Sequence, residues 1–249
     1  MRRMVLTCWL VVMSAAGNAF AAGDYPDEYA LRPLQLPAGM VQLKVPVIVN
    51  LSRGSVGSPV WIPFEIRLGL TPDFELRVFH PVHGLCVSGR AHGCGRVYDD
   101  LGVGMLYSVM REQAQELSLL VAFEVPSFSD PALLRLDIGM AWKLVRAPFS
   151  IAAWPYIGLG LNRRDQNGDS FNAPVELAFQ LSYDTALFLE TGFYGGLHGF
   201  ADDWSSPLGV GINHLVGQGV DIGAEFKLTG PIHGSSDGRL LLVYFALRN

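Results

Sequence analysis

From residue 41 onward, apolar residues recur at every second position. The stretch 220–228 is the clearest case. Val220, Ile222, Ala224, Phe226 and Leu228 share one parity; Asp221, Gly223, Glu225 and Lys227 share the other. Period two puts each set on one face of a β-strand. The pattern repeats at 133–144, where Leu134, Leu136, Ile138, Met140 and Trp142 oppose Arg135, Asp137, Gly139, Ala141 and Lys143. Together with 133–144, the predicted strands are 41–50, 60–70, 74–81, 97–110, 116–124, 149–162, 174–182, 185–195, 207–216, 219–228 (which contains the first stretch) and 238–247. That makes about twelve strands of roughly the 9–13 residues that membrane barrels use.

The connections alternate long and short. Long ones fall at 51–59, 82–96, 125–132, 163–173, 196–206 and 229–237; short ones centre on Pro72-Asp73, Glu112-Gln113, Arg146-Ala147, Tyr183-Asp184 and Gly217-Gln218. Short periplasmic turns and long extracellular loops are the outer-membrane arrangement. A soluble sandwich shares the period-two pattern but has no reason to alternate its loops. The fold expected is therefore all-β, a transmembrane antiparallel up-and-down barrel. On this orientation Phe64, Phe123 and Phe226 fall near the outer rim, and Phe74 and Trp142 near the inner one.

Several residues resist. Pro46, Pro63 and Pro155 cannot donate to a ladder, so bulges or frays are expected there. Residues 240–247 are apolar on both faces, so their inner side must meet something dry.

The first residues have a different character. Arg2 and Arg3, an apolar run at 5–13 and Ala19-Phe20-Ala21 read as a cleaved secretory signal over 1–21. Residues 22–39 form a short lead that Pro26, Pro33 and Pro37 keep extended, and 40–249 form the barrel. No folded plug is expected from so short a lead. The whole chain carries a formal charge of −5, and losing Arg2 and Arg3 makes it more negative. That balance argues against a nucleic-acid partner.

The face opposite the apolar one carries Lys44, Glu65, Arg67, Glu75, Arg77, Arg135, Asp137, Lys143, Glu176, Glu190, Asp221, Glu225 and Lys227. These are the expected lumen-lining charges. Their signs nearly balance, which suits either a network of ion pairs that closes the barrel or a narrow polar channel. Glu65/Arg67 and Glu75/Arg77 sit on adjacent strands, where cross-strand pairing is expected. Trp154, Tyr156, Phe188, Tyr194, Leu242 and Tyr244 share that inner face and give it an apolar part.

Other candidates are thinner. Cys86 and Cys94 lie in one loop of an exported chain, and a disulfide is expected; His83 and His92 would complete a metal set only with reduced thiols. Asp165–Asp169 resembles the start of a calcium loop but lacks the distal glutamate. His198, Asp202, Asp203, Ser205 and Ser206 share a loop, and His233 sits in another, yet no Gly-x-Ser-x-Gly fixes a nucleophile. No catalytic residue, metal or cofactor is assigned.

The lead run Arg32-Pro33-Leu34-Gln35-Leu36-Pro37-Ala38-Gly39 resembles the segment before the first strand in the transporter-like barrels of the phenol-degradation meta-pathway family. The run Ser236-x-Gly238-x-x-Leu241-x-Val243 resembles a barrel-assembly signal, although the chain runs on to Asn249 instead of ending on an aromatic. The family resemblance implies passive uptake of small, often hydrophobic or aromatic solutes and transfers no catalytic residue. The expected protein is a monomeric, porin-like barrel in the outer membrane of a Gram-negative bacterium. Its expected partners are outer-membrane lipid, lipopolysaccharide, the barrel-assembly machinery and a small-molecule solute. A closed barrel that works through its surface loops, and more remotely a rim-sited hydrolase, are the alternatives.

Overall fold

The computed structural model describes residues 25–88, 96–112, 114–128, 131–198, 204–232 and 237–249. Its strands are β1 (Val41–Asn50), β2 (Val60–Ile62), β3 (Glu65–Thr71), β4 (Phe74–Phe79), β5 (Leu85–Ser88), β6 (Leu101–Arg111), β7 (Gln115–Ser127) and β8 (Leu133–Arg146). They continue as β9 (Phe149–Ala153), β10 (Tyr156–Gly160), β11 (Ser170–Gln180), β12 (Thr185–Gly196), β13 (Trp204–Gly217), β14 (Val220–Ile232) and β15 (Arg239–Arg248). Each pairs antiparallel with its neighbours, and β15 returns to β1 in register from Gln42↔Arg248 to Asn50↔Leu240. Closure leaves no free edge. The result is a closed barrel of twelve staves, in which β2 with β3, and β9 with β10, are halves of one stave. The short β5 adds to β2 within the loop that precedes β6.

The two broken staves have a common cause. The registers Lys44↔Glu65 and Ile48↔Trp61 put Pro46 across from Pro63. Two residues without N–H groups face one another, so the ladder lapses between β2 and β3. On its other edge β1 stays continuous through Pro46↔Tyr244. The disruption expected at Pro46 therefore falls on its partner stave. At the second break Pro155 lacks a donor, but its carbonyl accepts from Met140 N at 2.9 Å and the Trp154 N–H reaches Pro174 O at 3.0 Å.

The period-two pattern becomes two surfaces. Val103, Met105, Tyr107 and Val109 on β6, and Leu208, Val210 and Ile212 on β13, are exposed on the outside. Gly102, Gly104 and Leu106, and Gly209, Gly211 and Asn213, alternate with them and are buried. Phe123 and Phe226 also point outward, exposed. Phe64 does not join them: it sits in the gap between β2 and β3, edge-on to His80 with ring centroids 4.4 Å apart.

The lead departs most from expectation. It contains one 3-10 turn, Tyr29–Leu31, and runs through the barrel interior at the short-turn end. Ala30, Leu34 and Leu36 are buried, as are Arg32 and Gln35. A plug is therefore present, built from the lead itself. Ala30 and Tyr29 pack on Ala178, Phe188 and Tyr244. They are the dry partner that the inner side of β15 requires. No helix among the described residues is long and apolar enough to cross a membrane.

Candidate functional site

The interior is best built from Glu75, which is fully buried on β4. Arg67 and Arg77 stand directly opposite each other on β3 and β4, a like-charge contact that would repel. Glu75 resolves it. Its carboxylate accepts from Arg67 Nε at 2.9 Å and Nη2 at 2.8 Å, from Arg77 Nε at 2.5 Å, and from the Leu36 N–H of the lead at 2.7 Å. Glu65 adds a longer contact to Arg77 at 3.9 Å. Cross-strand pairing occurs, with Glu75 rather than each Glu-x-Arg unit as the hub.

Wall side chains meet several of the lead's backbone groups, as buried peptide groups demand. Ala30 N–H donates to Gln180 Oε1 at 3.0 Å, and Leu34 N–H to Glu116 Oε2 at 2.7 Å. The Arg32 carbonyl accepts from Lys143 Nζ at 2.6 Å, and the Leu34 carbonyl from Arg67 Nη2 at 2.6 Å. Side chains add to this. Tyr29 donates to Glu176 at 2.8 Å, Tyr183 of the β11–β12 turn donates to Asp27 at 2.6 Å, and Arg111 donates to Gln35 at 2.8 Å. Arg32 forks onto Asp221, which Arg248 also approaches at 3.2 Å. Asn213 bridges Asp221 to Tyr244.

Among the described residues, two abutting cavities lie inside the wall. The larger, about 480 Å³, lies toward the long loops between β4, β6, β7 and β10. Glu65, Glu124, Asp137, Glu176 and Glu190 line it against the single guanidinium of Arg77, with Trp154 and Tyr156 as its aromatic wall. The smaller, about 230 Å³, lies against the lead and is lined by Arg32, Lys44, Arg67, Arg77 and Lys143 together with Glu65, Glu176 and Asp221. Glu65, Arg77, Trp154 and Glu176 border both, so the two abut.

The remaining charges sit in the same interior. Arg135 pairs with Asp137 at 2.8 Å and also donates to Ser170 Oγ. Lys227 is joined to Glu190. Lys44 lies over the Tyr244 ring, 4.4 Å from its centroid. Glu225 is buried against Gly209.

At the loop end, Asp100 ties the segment after β4 to the start of β6. His80 Nδ1 lies 2.7 Å from its carboxylate, and the His83 and Gly84 N–H groups donate to it. Burial pushes the Asp100 carboxyl up, but those hydrogen bonds outweigh it and hold the group below its ordinary value. Tyr98 packs edge-on to His80 and stacks on Phe128.

Arg32, Glu116, Glu124, Arg248 and Asp100 escaped the sequence reading. Glu124 shares its parity with Ser118 and Ala122 on β7 and was legible there. Arg32 was not, because nothing local places the lead inside the barrel. Cys86 is buried on β5, while Cys94 and His92 lie outside the described residues. Asp202, Asp203 and His233 also lie outside them. Among the described residues no cluster of metal-ligating side chains occurs. Asp169 instead accepts from the Gly160 N–H and faces Arg164.

Solved structures share this architecture. The NanC porin superposes with a TM-score of 0.63 at 8% identity, over 82% of this chain and 98% of the porin. The fold is that of the outer-membrane porins. The KdgM porin, solved with oligogalacturonate, gives 0.61 at 9% identity over 83% of this chain and 98% of its own. An outer membrane channel from Pseudomonas putida F1 gives 0.57 at 12% identity, over 93% of this chain and all of that one. No protein-family model and no curated protein matches the sequence.

Proposed function

We propose that this chain is a passive channel for small solutes in the outer membrane of a Gram-negative bacterium, exported through a cleaved signal over 1–21. The carrying observation is the interior. A barrel that only needed to fold could fill its lumen with interlocking side chains, yet two abutting cavities lined by charged groups and by Trp154 remain. Their sizes approach or fall within the roughly 300–1,000 Å³ range of small-molecule sites. The porin fold supports the same reading. In this orientation the short turns and the lead are periplasmic, and the lead is the constriction.

Trp154 and Tyr156 give the wall of the larger cavity an apolar component. That suits amphipathic or aromatic solutes, as the resemblance to the meta-pathway barrels implies. The thirteen lumen charges named from the sequence then act as the polar lining of the path. Lipid and lipopolysaccharide would contact the outer apolar face, and the barrel-assembly machinery would insert the chain as a monomer. A Cys86–Cys94 disulfide would brace the loop above the barrel.

The lead favours one competing reading, a barrel held shut. Solute flux into liposomes carrying the refolded protein separates the two. The channel reading expects flux of sugars, amino acids or small aromatics, and more flux when residues 27–36 are replaced by Gly and Ser. A heat-modifiable, folded protein that passes nothing in either form would overturn it.

A further inference from the structure

The charges around the larger cavity answer one another. Glu65 and Glu75 serve Arg67 and Arg77. Arg135 takes Asp137 at 2.8 Å. Glu124 is hydrogen-bonded to Asp137. Two carboxyl groups joined in this way hold one proton between them, so the pair sets a single negative charge against that guanidinium. Lys227 takes Glu190. Glu176 accepts from Tyr29 at 2.8 Å and faces Lys143 and Lys44, and Lys44 also faces Glu225. The wall is therefore rich in charge but balanced.

Hydrogen-bonding capacity is left over. Tyr29 uses one oxygen of Glu176 and Lys227 one oxygen of Glu190, and a carboxylate has two. Trp154 adds an indole N–H and Tyr156 a hydroxyl. His80 also borders the cavity, only 8% exposed, and its Nε2 has no hydrogen-bond partner. Its Nδ1 is taken up by the Asp100 carbonyl and carboxylate. A buried polar atom left unmatched is costly. A hydroxyl meets Nε2 whether or not that nitrogen carries a proton, because it both donates and accepts. An ammonium only donates, and a carboxylate only accepts. Phe79, Trp154 and Tyr156 complete the wall with aromatic faces, which suit the apolar side of a ring.

We infer that the larger cavity binds an uncharged, polyhydroxylated ring compound, a neutral sugar or cyclitol, with its C–H face toward Trp154 and Tyr156 and its hydroxyls toward His80 Nε2 and the spare oxygens of Glu176 and Glu190. The volume of about 480 Å³ lies within the usual range of small-molecule sites. An ammonium or carboxylate on the ring brings a charge that the balanced wall does not answer. A plain hydrocarbon ring leaves the polar groups unmatched. The inference narrows the solute class of the proposed channel. It rests on the accessible lumen of that reading but not on transport through it.

The test is calorimetric titration of the refolded full chain in a detergent without a sugar headgroup. The probes are methyl glucoside and methyl galactoside, each with its 2-ammonium and 6-carboxylate counterpart, and cyclohexanol. A neutral glycoside is expected to bind. Either charge, or the loss of the other hydroxyls in cyclohexanol, should weaken binding about tenfold or more, the scale of one mismatched polar group. Two variants check the cause. Lys227→Met leaves Glu190 without its cation and should turn the preference to the ammonium sugar; Glu190→Gln leaves Lys227 without that anion and should turn it to the carboxylate sugar. Trp154→Phe keeps an aromatic face and should retain binding that Trp154→Leu loses. Equal or tighter binding of a charged sugar by the unmodified protein, cyclohexanol binding as tightly as the glycosides, full binding by Trp154→Leu, or an unchanged preference in either charge variant would each overturn the inference. No binding by a barrel that passes solutes into liposomes would refute this inference alone. A sealed barrel that binds the neutral glycosides would refute the channel reading alone, and a folded, heat-modifiable barrel that neither binds nor passes anything would refute both.

Discussion

Arg32 of the lead and Asp221 of β14 meet through two parallel hydrogen bonds, Nη1–Oδ2 at 3.0 Å and Nη2–Oδ1 at 2.8 Å. Both side chains are withdrawn from water. The pair fastens a segment 189 positions away in sequence to the inner wall. A forked guanidinium–carboxylate contact fixes direction as well as distance. It orients the lead as it crosses the lumen.

Asp221 serves two cations, since Arg248 also lies 3.2 Å from it. Its partners are therefore not equivalent. Arg32→Ala leaves Asp221 neutralised by Arg248 and should cost roughly 1–3 kcal/mol. Asp221→Asn strands two buried guanidiniums and should cost about 3–5 kcal/mol. Urea unfolding of the refolded barrel in micelles, followed by tryptophan fluorescence, measures the difference. Equal losses would mean that Arg248 does not share the carboxylate.

Gly69 tests how closely the lead is seated. Its carbonyl accepts from Gly39 N at 2.7 Å and its N–H donates to Met40 O at 2.9 Å. A Cβ built there would stand 2.0 Å from the Pro37 carbonyl oxygen, a backbone atom that cannot swing aside. Gly69→Ala should displace the end of the lead and cost roughly 1–3 kcal/mol. Limited proteolysis is the readout, with faster cleavage between residues 25 and 40 and an uncut barrel. An unchanged cleavage rate would show that the lead accommodates the methyl group.

Asp100 predicts a pH dependence at the loop end. Its folded-state value is held below the ordinary carboxylate value by His80 and the His83 and Gly84 N–H groups, against the opposing effect of burial. A depressed folded value means that Asp100 stabilises fully above the unfolded value of about 3.9. The contribution is lost as pH falls below that through the folded value. Hydrogen exchange at the His83 and Gly84 amides should accelerate as pH falls through this window, beyond the intrinsic change. Asp100→Asn should remove that dependence and cost roughly 1–3 kcal/mol, since the amide cannot accept from all three donors. A wild-type profile that matches the variant's would discard the assignment.

The lumen network also makes a prediction about Glu75. Glu75→Gln removes the charge that separates Arg67 from Arg77 and weakens the acceptor for Leu36 N–H. Both stability and lead seating should suffer. Arg77→Gln added to it should restore part of the stability, because the like-charge contact is then gone. A double-mutant cycle in micelles tests this, and strict additivity would rule out the hub role.

The amino-acid sequence determined the staves, their orientation and the sidedness of the loops. Period two is a property of neighbouring residues, so Val103, Met105 and Tyr107 declare a face without reference to anything distant. The alternating loop lengths then required antiparallel neighbours, and an edge-free sheet of such strands closes. Local chemistry also marked the breaks, although it could not show that Pro46 and Pro63 would face each other and share one gap. That is a matter of register, which two strands settle together.

Only the tertiary structure decided what fills the barrel. Arg32, Leu34 and Leu36 sit in a proline-bearing run with no periodicity, and nothing near them in sequence explains their burial. Their partners, Asp221, Arg67, Lys143, Glu116 and Glu75, come from staves spread around the wall. Charge pairing had the same limit. The sequence could count cations and anions on the inner face, but a balanced count does not tell which pairs close. Arg135 abandons Glu124 for Asp137, and Lys143 turns to a carbonyl, because side-chain reach in a curved wall selects partners that strand order alone does not.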